Sequence, residues 1–127
     1  MHEKISPLES ERRVAQIMEY VGIPPHLKGY HYLREAILLA EQDMKTITSV
    51  TKFLYPPIAK RYHTTEQKVE RSIRNAIEIS WIRGNTNAFE DLFGYSSVSG
   101  RQRPTNSEYI FRLTDKIRLC DTEPFVR

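Results

Sequence analysis

With 127 residues, 39% of them hydrophobic and 28% charged, the chain is long enough for one compact domain and too short for two ordinary ones. Neither end carries an apolar run long enough to span a bilayer, and the first residues lack the hydrophobic stretch of a signal peptide, so we expect neither a membrane span nor a signal peptide. The single cysteine, Cys120, excludes an internal disulfide and fits a cytoplasmic protein in a reducing compartment.

The positive charge is concentrated in one segment. Residues 52–83 contain seven basic and three acidic side chains, a balance of +4, and since the whole chain has a net charge of +3, the rest sums to −1. Such a segment suits an anionic partner, because each lysine or arginine near a phosphate releases condensed counterions. A helix with a solvated basic face would carry the same charge, so the charge alone leaves both interpretations open.

The N-terminal part of the chain predicts two helices. Ser6 and Glu9 form a capping-box pattern with proline at the first helical position, and Gly22 is placed to end this helix. Its apolar stripe consists of Val14, Ile17, Met18 and Val21. After two prolines, a second helix is expected from about residue 27 or 30 to residue 43. The residues expected to face inward on it are Tyr30, Leu33, Ile37 and Ala40.

A third segment, over residues 46–55, ends at the prolines Pro56 and Pro57. Proline fits poorly inside a helix, so we expect a break there and a short new helix over residues 57–62, followed by a turn at residues 63–65.

A second capping box, at residues 64–67, opens a long helix from residue 65 to about residue 81 or 83, closed by Gly84 and Asn85. After it, a short apolar piece over residues 89–93 stops at a glycine, and residues 96–103 form a loop. A third capping box, Thr105 to Glu108, begins the last helix, whose apolar side is formed by Ile110, Leu113 and Ile117.

No segment alternates like a strand, so the predicted fold is all-α, with about six helices and an internal helix-turn-helix. The expected effector domain covers residues 14–119. Residues 1–13 form an N-terminal extension that includes the start of the first helix, and residues 120–127 form a tail.

The long helix has two chemically distinct sides. The side expected to pack on the domain consists of Val69, Ile73, Ala76, Ile77 and Ser80. The opposite side consists of Gln67, Glu70, Arg71, Arg74, Asn75 and Glu78. An ordinary surface helix would also divide in this way. Arginine, asparagine and glutamine, however, are the residues whose planar groups hydrogen-bond base edges in pairs, and a glutamate among them can accept from a cytosine amino group or orient an arginine.

The short helix and the turn before it complete a helix-turn-helix pattern. Ile58 and the small Ala59 would let the first helix cross closely over Val69 of the second, with Tyr62 between them. The turn at His63 contains no glycine, which departs from the commonest form. We therefore expect residues 67–75 to dock in the major groove of double-stranded DNA.

Basic residues around this helix are candidates for phosphate contacts, which position a protein without reading sequence. They are Lys60, Arg61, Lys68 and Arg83, with Arg101 and Arg103 on the late loop as a second contact. For each of them, a solvated surface cation is an equally good interpretation.

An enzyme is the least favoured interpretation. The four histidines, His2, His26, His31 and His63, fit no HExxH or other metal-ligand spacing, and the chain contains no G-x-S-x-G motif or glycine-rich phosphate loop. Cys120 has no Cys-His motif around it. We expect no catalytic site, no metal and no cofactor.

Several strings resemble one family closely: GYHYLREAI (29–37), LYP (54–56), IAK (58–60), VERSIRNAIE (69–78), Trp81, RGN (83–85), LFGY (92–95) and PTNSE (104–108). The chain resembles, over residues 14–119, the C-terminal effector domain of the stage-zero sporulation response regulator of endospore-forming Firmicutes. The resemblance implies a six-helix domain that binds a short DNA box, often in tandem copies, to activate or repress genes at the onset of sporulation.

The resemblance also implies roles for particular residues. Glu70, Arg71 and Arg74 match the family's base-reading positions. Residues 85–95 match the segment thought to touch the RNA polymerase sigma factor, which makes Asn85, Phe89, Leu92, Phe93 and Tyr95 the candidate sigma-factor surface. Residues 106–119 resemble a helix that packs between neighbouring domains, so a homodimer or tandem binding is expected.

Two departures from the family stand out. Asn75 lies where some members have histidine, which puts the family's contact at that position in doubt. Residues 1–13 are too short for a phosphoacceptor receiver domain, so the chain is interpreted as a fragment or as a stand-alone paralogue. A second hypothesis follows: an interaction module that binds polymerase, sigma factor or the full-length regulator without binding DNA specifically. A gel shift at low salt separates the two hypotheses.

Overall fold

A computed structural model describes residues 6–119; Cys120, the C-terminal tail and the first five residues lie outside the described part. Within it the chain forms seven α-helices, two short 3-10 stretches and no strand, which confirms the all-α prediction. The helices are α1 (Pro7–Val21), α2 (Lys28–Gln42), α3 (Val50–Phe53), α4 (Tyr55–Arg61), α5 (Glu66–Arg83), α6 (Thr86–Phe93) and α7 (Asn106–Leu119). The 3-10 stretches are Met44–Ser49 and Ser97–Ser99.

The predicted ends of α1 and the start of α7 are confirmed. The Ser6 hydroxyl accepts a hydrogen bond from the Glu9 backbone N–H, and Gly22 ends α1 in the left-handed conformation with φ of 81°. At α7 the capping box is reciprocal: the Glu108 N–H donates to the Thr105 hydroxyl, and the Thr105 N–H donates to the Glu108 carboxylate. The side chains at both starts therefore satisfy backbone groups that the helices leave open.

The third segment differs from the prediction of one helix over residues 46–55. It begins as a 3-10 stretch, becomes α-helical only over α3, and breaks at Leu54, before the prolines. The Asp43 carboxylate accepts a hydrogen bond from the Lys45 N–H and caps the 3-10 stretch. The Ser49 hydroxyl accepts one from the Lys52 N–H and caps α3. The two prolines lie in the first turn of α4, where their missing N–H groups cost no intrahelical bond. The count of seven α-helices in the described residues is close to the predicted number of about six.

The start of α5 lies one residue later than the capping box at residues 64–67 predicted. Thr65 is the cap, and its hydroxyl accepts from the Lys68 N–H at 3.1 Å. This register leaves Gln67 outside the cap, where its side chain is exposed. The helix ends at Gly84 as expected.

The core lies between α2, α5 and α7, with α1 and α6 completing it. The predicted apolar stripes of α1, α5 and α7 are buried, as are Leu33, Ile37 and Ala40 of α2. Tyr30 is only half-buried. Gly29 lies where α2 crosses α5: a Cβ there would overlap the Ser72 carbonyl oxygen and lie 2.8 Å from the Ala76 Cβ. The missing side chain lets the two helices cross at close range.

An aromatic cluster anchors the C-terminal end of α5. Trp81 contacts the rings of Phe89 and Tyr95 edge-on, and Phe89 and Phe93 stack at a centroid distance of 5.5 Å. Tyr109 is fully buried beside them, and its hydroxyl shares a 3.0 Å hydrogen bond with the Ser80 hydroxyl. The N-terminal half of α5 extends away from this anchor.

Candidate nucleic-acid interface

Helices α4 and α5 form the predicted helix-turn-helix. Ile58, Ala59 and Val69 are buried at their crossing, and the Thr64 N–H donates to the Ala59 carbonyl at 2.9 Å to close the turn. His63 takes the left-handed conformation, with φ of 54°, at the place where this motif commonly has glycine. Histidine is among the residues that tolerate this conformation better than most.

The conformation of His63 gives a prediction about stability. His63→Val should lower the free energy of unfolding by about 1–2 kcal/mol, because a β-branched residue is disfavoured at positive φ. The matched variant His63→Asn should stay within about 0.5 kcal/mol of the wild type, because asparagine adopts this region readily. Urea titration followed by circular dichroism measures both values. Equal stabilities of the valine and asparagine variants would show that the turn is not strained.

The two predicted sides of α5 are separated in the structure. Every residue predicted to pack inward is buried. The exposed residues of the opposite side are Gln67, Arg71, Arg74, Asn75 and Glu78. Glu70 is half-buried, and its carboxylate lies 3.6 Å from the Arg74 guanidinium. Among the described residues, Arg71 makes no hydrogen bond or ion pair, so its guanidinium is available to a partner.

A shallow groove runs along this side of α5. One part of it is lined by Thr51 of α3 and Tyr55 of α4, together with Gln67, Arg71 and Arg74. The adjoining part is lined by the same Thr51 and Tyr55, by Glu70 and Arg74, and by residues of the late loop and the start of α7 (Arg103, Thr105, Asn106 and Ser107). The exposed side of α5, from Gln67 to Arg74, is thus bordered by α3, by α4 and by the late loop with the start of α7.

Asn106 joins α7 to this groove. Its side-chain amide donates to the Tyr55 hydroxyl at 2.9 Å and to the Glu70 backbone carbonyl at 3.2 Å. From the sequence, Asn106 is predicted only as part of a capping box, and nothing there indicates Thr51 or Tyr55. Their role depends on contacts between distant parts of the chain, for which no local pattern gives a signal.

The candidate phosphate contacts fall into two groups. Lys60, Arg61 and Lys68 are exposed around the turn between α4 and α5, and Arg61 forms a 3.2 Å ion pair with Glu35. Arg103 lines the groove beside Arg74. Arg101, in contrast, lies over the Tyr95 ring at 5.1 Å.

Arg83 is not brought together with the others. It lies twelve residues after Arg71 on the same helix, about 18 Å farther along the axis. The structure therefore separates Arg83 from Gln67, Arg71 and Arg74, although it is exposed.

The candidate sigma-factor surface needs a correction. Phe89, Leu92 and Phe93 are 1%, 8% and 7% exposed and belong to the core, so they cannot form a docking surface themselves. Asn85 caps α6 by accepting from two backbone N–H groups, and Tyr95 is half-buried. The apolar residues hold α6 in place, and its outward side is formed by Asn87, Glu90 and Asp91.

Two buried tyrosines give the domain a predicted stability limit at high pH. Burial raises the pKa of both Tyr55 and Tyr109, and their hydrogen bonds to Asn106 and Ser80 offset this rise only in part. In the unfolded chain a phenol ionises near pH 10, whereas the folded chain keeps both protons. The stabilisation is therefore complete below about pH 10 and falls as pH rises further through the folded-state values.

We expect the midpoint of thermal unfolding to fall above about pH 10, and to fall less in the double variant Tyr55→Phe/Tyr109→Phe. Circular dichroism at a series of pH values measures both midpoints. An equally steep fall in the two proteins would mean that these phenols do not set the limit.

In the described part of the chain, no three histidine, cysteine, aspartate or glutamate side chains group as a metal site would require. Over the same residues, none of the helices has both the length and the apolar character of a membrane span. The family model described as sporulation initiation factor Spo0A C terminal matches residues 14–117. That match includes all of α2 to α6, with the exposed side of α5, the second half of α1 and most of α7.

Proposed function

Because the chain belongs to the family of C-terminal domains of the sporulation initiation factor Spo0A, a family of DNA-binding effector domains, we propose that it reads a short DNA box through the exposed side of α5. One observation supports this proposal most directly. The residues of α5 that can pair with base edges point away from the core, and Arg71 has no ion-pair or hydrogen-bond partner within the described chain.

The proposed base contacts follow from side-chain geometry. The guanidinium groups of Arg71 and Arg74 can each donate two hydrogen bonds to the major-groove edge of guanine. The amides of Gln67 and Asn75 can pair in the same bidentate way with adenine. Glu70 lies within ion-pair distance of Arg74, so its proposed role is to orient that guanidinium, with acceptance from a cytosine amino group as the other possibility.

The proposed phosphate contacts are Lys60, Arg61, Lys68 and Arg103, which lie around the exposed side of α5. Their contribution is electrostatic, so it should weaken as salt rises and should be similar on any duplex. Arg83 is a weaker candidate because of its distance along α5.

Selection of preferred duplexes from a random pool tests the proposal and defines the box. We expect one short motif to be enriched, and gel shifts on that motif to be tighter than on a scrambled duplex of equal length. Binding without any enriched motif would contradict base reading. Absence of a shift on every duplex at low salt would favour the alternative, an interaction module that acts on polymerase, sigma factor or the full-length regulator.

Membership of the family is also the basis for proposing two protein partners. We propose that a sigma factor of RNA polymerase contacts the outward side of α6, which presents Glu90 and Asp91. We also propose that neighbouring copies of the domain pack through α7 on tandem boxes. The apolar side chains that α7 exposes, Phe111 and Leu119, support the second proposal. Gel shifts on duplexes with one or two boxes test it, since packing between copies makes the second copy bind more tightly than the first.

A further inference from the structure

Three elements of the domain meet at one side-chain amide. Asn106, the first residue of α7, is 9% exposed, and its nitrogen donates both to the Tyr55 hydroxyl of α4 and to the Glu70 carbonyl of α5. We propose that Asn106 is a positioning residue for DNA reading, which holds the turn of α5 that carries Arg71 and Arg74 in register with α4 and α7. This inference rests on the proposed function.

The position of the contacted carbonyl is what gives the contact its importance. In an α-helix the carbonyl of residue 70 accepts from the N–H of residue 74. The Glu70 carbonyl therefore belongs to the helical turn that carries both Arg71 and Arg74. Asn106 adds a second donor to this carbonyl from outside the helix. The backbone beneath the two arginines is therefore tied to another element, although their side chains remain exposed.

Core packing holds both halves of α5, but the polar ties that join the helix to α7 differ at its two ends. At its C-terminal end, the Ser80–Tyr109 hydrogen bond and the aromatic cluster lie within the core. At its N-terminal half, which borders the open groove, the Asn106 amide provides the polar tie to α7. Loss of the first tie should cost stability, whereas loss of the second should let the reading half of the helix shift.

A small shift is sufficient to change recognition. Bidentate pairing of a guanidinium with guanine requires two hydrogen bonds at once, and a binding constellation must be held to within about 0.5 Å of its productive geometry. Phosphate contacts tolerate more movement, because they depend on distance more than on direction. Loss of a positioning residue should therefore weaken binding to the selected box more than it weakens binding to a random duplex.

Paired tyrosine variants test the inference. Tyr55→Phe removes one partner of Asn106, and Tyr109→Phe removes a buried hydrogen bond of the same kind from the other end of α5. Asn106→Ala removes both of the amide's contacts. For each variant, dissociation constants are measured on the selected box and on a random duplex, and the midpoint of thermal unfolding is measured in parallel.

We expect Asn106→Ala to reduce the ratio of box affinity to random-duplex affinity about tenfold, and Tyr55→Phe to reduce it about threefold, because one of the two hydrogen bonds remains. Tyr109→Phe should lower the unfolding midpoint but change the ratio by no more than about twofold. If Asn106→Ala does not fold, the inference is tested by comparing the affinity ratios of Tyr55→Phe and Tyr109→Phe.

Two results would overturn the inference. The first is a ratio of box affinity to random-duplex affinity that stays at the wild-type value in Asn106→Ala and Tyr55→Phe. The second is a ratio that falls as much in Tyr109→Phe as in those two variants. That failure differs from failure of the proposed function. If the wild-type domain shows no preference for any box, base reading itself is refuted, and there is no ratio for Asn106 to change.

Discussion

Replacement of Arg71 by alanine is expected to weaken binding to the selected box by about 1–3 kcal/mol, with little change on random DNA. Arg71 is exposed and has no partner within the described chain, so its removal breaks no internal contact. The loss should therefore come from the bound state alone, and the unfolding midpoint should stay close to the wild-type value. Fluorescence anisotropy titrations on both duplexes measure the two affinities.

Arg83→Ala is the matched control for Arg71→Ala. Both arginines are exposed on α5, but Arg83 lies about 18 Å farther along the helix. Its removal should affect the selected and the random duplex alike, if it affects either. An equal loss on the two duplexes for Arg71→Ala would instead assign Arg71 to a phosphate.

Gly29→Ala is expected to lower the free energy of unfolding by about 3 kcal/mol or more, at the upper end of what overpacking costs. The added methyl group would overlap the Ser72 carbonyl oxygen and lie 2.8 Å from the Ala76 Cβ. Both obstacles belong to α5 and neither is the end of a flexible chain, so α2 and α5 must separate. The intrinsic helix preference of alanine over glycine acts in the opposite direction and is smaller, about 1 kcal/mol.

Gly94→Ala separates this steric effect from a conformational one. Gly94 has φ of 84° and nothing within 4 Å of the position that a Cβ would take, so alanine there should cost only about 1–2 kcal/mol of backbone strain. Denaturant titration of both variants gives the comparison. A Gly29→Ala protein as stable as Gly94→Ala would mean that the helix crossing can relax.

Much of the fold was predictable from local patterns. Capping residues fixed the ends of α1 and the start of α7, and apolar spacing identified the buried sides of α1, α5 and α7. The errors arose where two local signals compete. Thr64 and Thr65 both fit a cap, and only the packed structure selects Thr65. Within residues 46–55, which were expected to form one segment, the Ser49 hydroxyl captures the Lys52 N–H and separates a 3-10 stretch from α3.

The site was predictable only where it lies on one element. The exposed side of α5 follows from helical spacing, because its residues are three and four apart. The groove around it does not, because Tyr55 and Asn106 are 51 positions apart and meet only through packing. The sigma-factor residues show the opposite error. Phe89, Leu92 and Phe93 have the spacing of an inward stripe, which already indicated burial.

The division of α5 into two sides has a consequence for how such a domain can diversify. Gln67, Arg71 and Asn75 are exposed, whereas other residues of α5 fill the core. Exchanges at these three positions therefore leave the packing of the core untouched. Surface exchanges of this kind usually change stability by no more than about 0.5 kcal/mol. Under the proposed function, new DNA preferences can therefore arise on this scaffold by single substitutions, without compensating changes elsewhere in the chain.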